Sequence, residues 1–282
     1  MSSLAPTLDG PRPNVARQTA RTHGRVTQTG VFRSEWTKLY SLRSTRYSLL
    51  ATVVFTIGFG IIASAATVSR WGSMSAADKA SFDPLSTSLL GVRFGVLAIG
   101  VLGVMLIAGE YSTGMIRSTM TAVPKRLPVL WGKAVVYAAV ALALAIPSVL
   151  IAFFAGQAIL SGQHLQIAFS HSGVATAVFG AAVYLTLVGL FAMGLAAILR
   201  NTAAGIASFA GIMFVIPPLV TILPSSLADS ITPYLPSNAG EAMMRIGQHA
   251  NTLSPGAGLA VFAGYVAVTI AIAAVLLVRR DV

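Results

Sequence analysis

Residues 134–158 read AVVYAAVALALAIPSVLIAFFAGQA, a run of 25 positions without a charge. A helix of that length rises about 38 Å at 1.5 Å per residue. The hydrocarbon core of a bilayer is about 30 Å thick. The run is continuous, whereas a membrane barrel strand alternates apolar and polar side chains. It therefore predicts a helix that crosses a membrane. Five more runs qualify outward from it, at about 48–69, 88–109, 172–199, 203–223 and 257–278. The expected fold is an all-α membrane protein with six transmembrane helices.

Composition agrees. Of 282 residues, 55% are hydrophobic and 10% charged. Soluble domains carry about 25% charged residues. A chain this poor in charge cannot cover a water-facing surface, and its length leaves no room for a second large soluble domain beside six spans. The absence of cysteine excludes disulfides, thiolate metal sites and iron–sulfur clusters.

The net charge of +11 is distributed by loop. With the N-terminus inside, 15 of the 19 basic residues fall on one side, among them Arg43, Arg46, Lys125, Arg126, Lys133, Arg200, Arg279 and Arg280. The other side holds Arg70, Lys79, Arg93 and Arg245. The positive-inside rule then makes both termini cytoplasmic and the chain a multi-pass protein of the plasma membrane. Residues 1–30 are rich in Ser, Thr, Pro, Gly and Arg, with no apolar run. They read as a disordered cytoplasmic tail rather than a secretory signal. Residues 31–282 form the membrane domain.

Before the first span, VFRSEWTKLYSLRSTRY sets Phe32, Trp36 and Leu39 on one side of a helix, with Glu35 and Lys38 between them. This predicts an amphipathic helix in the headgroup layer. Within the spans, Arg93 falls inside the second helix towards its outer end, if that helix starts near Ser88. An intramembrane Arg marks a functional site or snorkels to the headgroups, and snorkelling fits a position so near the helix start. Pro147 in span three and Pro217 and Pro218 in span five remove backbone donors, so each is a kink or a gate. Gly58, Gly60, Gly91 and Gly95 suit close helix packing.

Chemistry is conspicuous by absence. His23, His164, His171 and His249 all lie outside mid-span, and every Asp and Glu lies in a loop or at a helix end. Deep haem ligation and carboxylate-based ion coupling are disfavoured. Gly132-Lys133 lacks the earlier glycine of a phosphate-binding loop. The chain is expected to be no enzyme, with no cofactor or metal of its own.

The loop between spans two and three reads GEYSTGMIRSTMTAVPKRLPVLWGK, residues 109–133. Glu110 ends a span and Gly114 permits a turn. Ile116, Met120 and Val123 then recur at helical spacing until Pro124 stops the run. A short amphipathic helix displayed on the cytoplasmic side could dock into a groove on a soluble partner, or could simply rest on the membrane surface. In the last outer segment, Asn238 followed by Glu241 resembles a capping box, with Ala242, Met243 and Ile246 expected to face the membrane or span six.

The loop resembles the equivalent loop of the type-2 ABC exporter permeases, the ABC-2 type. Glu110, Gly114, Arg117, Pro124 and Arg126 occupy that family's Glu, Gly, basic and Pro-x-Arg positions, while Met115 replaces its usual Thr and Thr113 precedes the Gly. SEWTKLYSLRSTRY, AILRNTAAG and YLPSNAGEAM are similar to further segments of that family. The resemblance implies a permease subunit that dimerises, with an identical or a different chain. It implies a separate cytoplasmic ATPase that binds ATP and Mg. Residues 114–126, with Glu110 and Tyr111, would be the coupling segment, and the helix around Trp36 would also touch the ATPase. A hydrophobic substrate and outward transport are expected. The alternative from the residues is a membrane scaffold whose loop helix docks another partner.

Overall fold

A computed structural model describes residues 36, 43–112, 114, 126–247 and 251–279. The described residues are helical with short connections and contain no strand. Helix α1 spans Arg43–Arg70, and two short helices follow, α2 at Ala76–Ala80 and α3 at Pro84–Ser88. Helices α4 (Gly91–Ser112), α5 (Arg126–Leu160) and α6 (Val174–Leu199) are long. Helix α7 (Thr202–Ala210) runs through a π-turn at Gly211–Val215 into α8 (Ile216–Val220). Two further short helices, α9 (Ser225–Ile231) and α10 (Pro236–Ala242), precede α11 (Pro255–Arg279).

Six segments are long and apolar enough to cross a membrane: Ser44–Ser73, Gly91–Tyr111, Leu127–Gln163, Val174–Leu199, Thr202–Val220 and Pro255–Arg279. The chain is a multi-pass membrane protein. All six expected spans are present, with shifted ends. Span three begins at Arg126 rather than near residue 134. At about 1.5 Å per residue its 35 residues reach about 52 Å, well beyond the hydrocarbon layer. Hydropathy registers only the part of a helix that lipid covers. Span two begins at Gly91, after α3 and a turn at Leu89 and Leu90, and not near Ser88.

Spans two and four form the centre. They bury 72% and 67% of their apolar windows, against 22% for spans one and five, so the centre is set by those two helices and the others wrap them. Glycine makes the close approach possible. A Cβ on Gly103 of α4 would collide with the Gly189 carbonyl of α6, and one on Gly189 would collide with the Tyr137 hydroxyl of α5. That hydroxyl donates to the Ile99 carbonyl of α4 at 3.1 Å. One buried bond thus ties two spans, and the glycine contacts at Gly103 and Gly189 pack the third against them. Gly60, Gly91 and Gly95 also sit where a side chain would meet a neighbour, whereas Gly58 faces open space.

The prolines behave differently from one another. Pro147 lies inside α5, which runs through it unbroken, and its side is exposed. Pro217 and Pro218 open α8 directly after the π-turn. A proline cannot donate to the carbonyl one turn earlier. The Ile216 amide instead reaches the Gly211 carbonyl, a five-residue π spacing that widens the helix just before the prolines.

The helices divide the molecule into two ends. One, here the basic end, holds Arg46, Lys133, Arg200 and Arg279. The far end holds Arg70, Arg93, Glu241 and Arg245. Gln157 fastens the far-end connections. Its Nε2 donates to the Pro84 carbonyl at 3.0 Å and to Ser88 Oγ at 3.1 Å, and its Oε1 accepts from the Ile167 amide at 2.8 Å.

Candidate functional site

The segment between spans two and three is anchored at both roots. Glu110 lies in the last turn of α4. Lys133 lies seven residues, or about 10 Å, inside α5. Lys133 Nζ meets Glu110 Oε1 at 2.7 Å, with side chains only 4% and 7% exposed. Burying two charges is costly, and the close, charge-assisted bond offsets that cost only while both partners remain. The sequence places Lys133 at the boundary of span three. The longer helix puts it inside, where it reaches back to Glu110.

A second anchor comes from the turn between spans four and five. Arg200 has a left-handed backbone, φ 53°, and its amide donates to the Ala196 carbonyl at 2.8 Å. A left-handed non-glycine residue costs about 1–2 kcal/mol and needs compensation. Its guanidinium supplies it. Nη2 donates to the Leu276 carbonyl of α11 at 3.2 Å, and the group lies 5.4 Å from the centre of the Tyr111 ring. Asn201 then caps α7 by accepting from the Ala204 amide at 3.0 Å. The AILRNTAAG stretch therefore makes a two-residue corner whose Arg ties span four to spans two and six.

The expected site residues are distributed as follows. Glu110, Tyr111 and Arg126 stand at the roots of the segment, with Arg126 opening α5. Gly114 is exposed and has φ +71°, a left-handed turn that suits glycine. Thr113, Ile116, Arg117, Met120 and Pro124 lie outside the described residues. So do Phe32, Glu35, Lys38 and Leu39 of the interfacial helix, and residues 1–30. Trp36 is helical and half-exposed. Sequence reasoning missed Lys133 and the bridging role of Arg200. The available signal was a base and an acid near facing ends of consecutive spans.

Arg93 does not simply snorkel. Its Nη2 pairs with Glu241 Oε2 at 2.9 Å, and Arg245 Nη2 reaches the same oxygen at 3.3 Å. The capping box does not form either. Pro236 already opens α10, where its missing amide is harmless, so Asn238 sits inside the helix. Asn238 donates to the Thr232 carbonyl at 2.8 Å, and Glu241 turns to the arginines. Ala242 packs at Gly258 of span six as expected, but the Met243 backbone abuts Gly180 and Ile246 abuts Gly173, both at span four.

Compared with protein-family models and with curated proteins, the chain matches none.

Proposed function

We propose that the chain is the transmembrane permease subunit of an ATP-driven exporter of the ABC-2 type. It moves a hydrophobic substrate outward across the plasma membrane and draws its power from a separate ABC ATPase on the cytoplasmic side. The basic end is then cytoplasmic, in keeping with its excess of Lys and Arg. The functional unit pairs this chain with a second permease chain and two ATPase subunits.

The observation that carries this reading is the Glu110–Lys133 pair at 2.7 Å, which ties the two helix ends flanking residues 113–125. A force applied to that segment acts on α4 and α5 together, because their ends are tied. Through Tyr111 and Arg200 it also reaches α6 and α11. Receiving motion from outside requires helix ends that move together, and the Glu110–Lys133 pair supports that reading. The helical spacing of Ile116, Met120 and Val123 in the sequence would suit a groove on the ATPase.

The test uses the tagged full-length chain in its native host. An ABC ATPase subunit is expected to co-purify, and vesicles holding the complex should move a fluorescent hydrophobic substrate only with ATP. Replacing Ile116, Met120 and Val123 with Ser should abolish both. Association and transport that survive the triple substitution would overturn the coupling role. ATP-independent association with a protein of another kind would favour a scaffold.

A further inference from the structure

The far end gathers three arginines around one cavity. Arg70 ends α1, Arg93 lies in the first turn of α4, and Arg245 follows α10. All three line a cavity of about 340 Å³. Glu241 is its only acidic lining residue, and both Arg93 and Arg245 already share that carboxylate. Arg70 donates from Nε to the Ala66 carbonyl of its own helix and makes no ion pair among the described residues. Asp78 bonds Ser75 and Asp83 caps α3, and neither carboxylate lines the cavity. Among the described residues the lining thus carries three guanidiniums and one carboxylate, an excess of two positive charges.

The remaining lining is mixed: Ala63 and Ala66 of α1, Leu89, Leu90 and Met244 are apolar, and Thr67, Ser86 and Thr87 add polar side chains. A second cavity of about 320 Å³ shares Arg93 and Glu241. It continues along Phe94, Leu97, Met213 and Phe214, beside the π-turn of span five. The Arg93–Glu241 pair is therefore a wall common to a basic chamber and an apolar one. Either chamber alone has the size of a small-ligand site, about 300–1,000 Å³.

We propose that this is a binding site for an anionic amphiphile, a lipid-like molecule with a phosphate monoester headgroup. The lining's excess of two positive charges matches the charge of roughly −1.5 to −2 that such a phosphate carries near neutral pH. Guanidinium forks suit its oxygens. The headgroup lies against Arg70 and Arg245, and the hydrocarbon chain follows the apolar walls. A soluble anion leaves those walls without a partner, and a zwitterionic lipid leaves the charge excess unmet. The site concerns binding alone and does not depend on the chain being an exporter subunit.

The test is a binding titration of the purified full chain in neutral detergent, read by native mass spectrometry. The probes are oleoyl lysophosphatidic acid, oleoyl lysophosphatidylcholine and inorganic phosphate. Lysophosphatidic acid should bind as one molecule, at least about tenfold tighter than lysophosphatidylcholine, and inorganic phosphate should not saturate over the same range. Arg70→Gln should weaken binding of the acid by roughly tenfold, and Glu241→Gln, which removes the competing carboxylate, should strengthen it. Equal binding of lysophosphatidylcholine overturns the anionic preference. Equal binding of inorganic phosphate overturns the amphiphile. Variants that shift together, or an Arg70→Gln without effect, overturn the site. If Glu241→Gln fails to fold, Arg70→Gln decides the matter, since its one recorded bond is to its own helix.

Discussion

At the basic end, Glu110 and Lys133 meet at 2.7 Å with side chains 7% and 4% exposed. At the far end, Arg93 and Glu241 meet at 2.9 Å with side chains 54% and 19% exposed. The distances are almost equal, and the surroundings are not. In the first pair both charges are nearly shut off from water. In the second, solvent shares the work, and a third group, Arg245, competes for the same oxygen. The first is a fixture and the second can be rearranged. Burial, rather than separation, sets what each pair contributes.

The sharpest way to break this comparison is to remove one buried partner. Glu110→Ala removes the 2.7 Å partner of a Lys133 side chain that is only 4% exposed and should cost about 3–5 kcal/mol. Lys133→Ala should cost about as much. Replacing both at once with Leu and Met, which leaves no charge to bury, should recover most of that loss. Thermal unfolding in detergent reads all three. A Glu110→Ala shift no larger than that of a half-exposed far-end residue would show that the basic end is solvated after all.

A second substitution separates burial from location. Gln157 belongs to the far end, yet it is buried and satisfies groups on two separate connections. Gln157→Leu removes the acceptor of the Ile167 amide and the donor to the Pro84 carbonyl and should cost about 1–3 kcal/mol. The same thermal assay measures it, and limited proteolysis of the 161–173 connection should accelerate. If the cost is negligible, the far end is loose as a whole, and burial is not the deciding variable.

The same contrast explains what could be seen in the sequence. Six charge-free runs are a one-dimensional signal, because lipid imposes them on each helix separately. The pairs are not. Arg93 and Glu241 stand 148 residues apart, and only the docking of α10 beside the start of α4 brings them together. Glu110 and Lys133 are 23 apart, but their meeting depends on α5 continuing beyond the lipid to Arg126, where hydropathy falls silent. Asn238 misled for a related reason. Its capping pattern is local, and Pro236 two residues earlier starts the helix first. The Tyr137 lock was hidden because it needs two glycines on two other helices.

The smallest effect expected is also the most discriminating. Glu241→Gln removes a carboxylate shared by two partly exposed arginines. Exposed pairs contribute about 0–1 kcal/mol, so the unfolding transition should barely move. Salt should distinguish it further. At about 1 M ionic strength the Debye length shrinks to roughly 3 Å, and what the far-end pair contributes should vanish, so that wild type and Glu241→Gln unfold together. The deficit of Glu110→Ala should persist in the same buffer, because ions do not enter its site. A Glu241→Gln deficit that is large and insensitive to salt would place the far-end network in a buried setting. The two arginines would then be as fixed as Lys133, and no incoming anion could displace Glu241 from them.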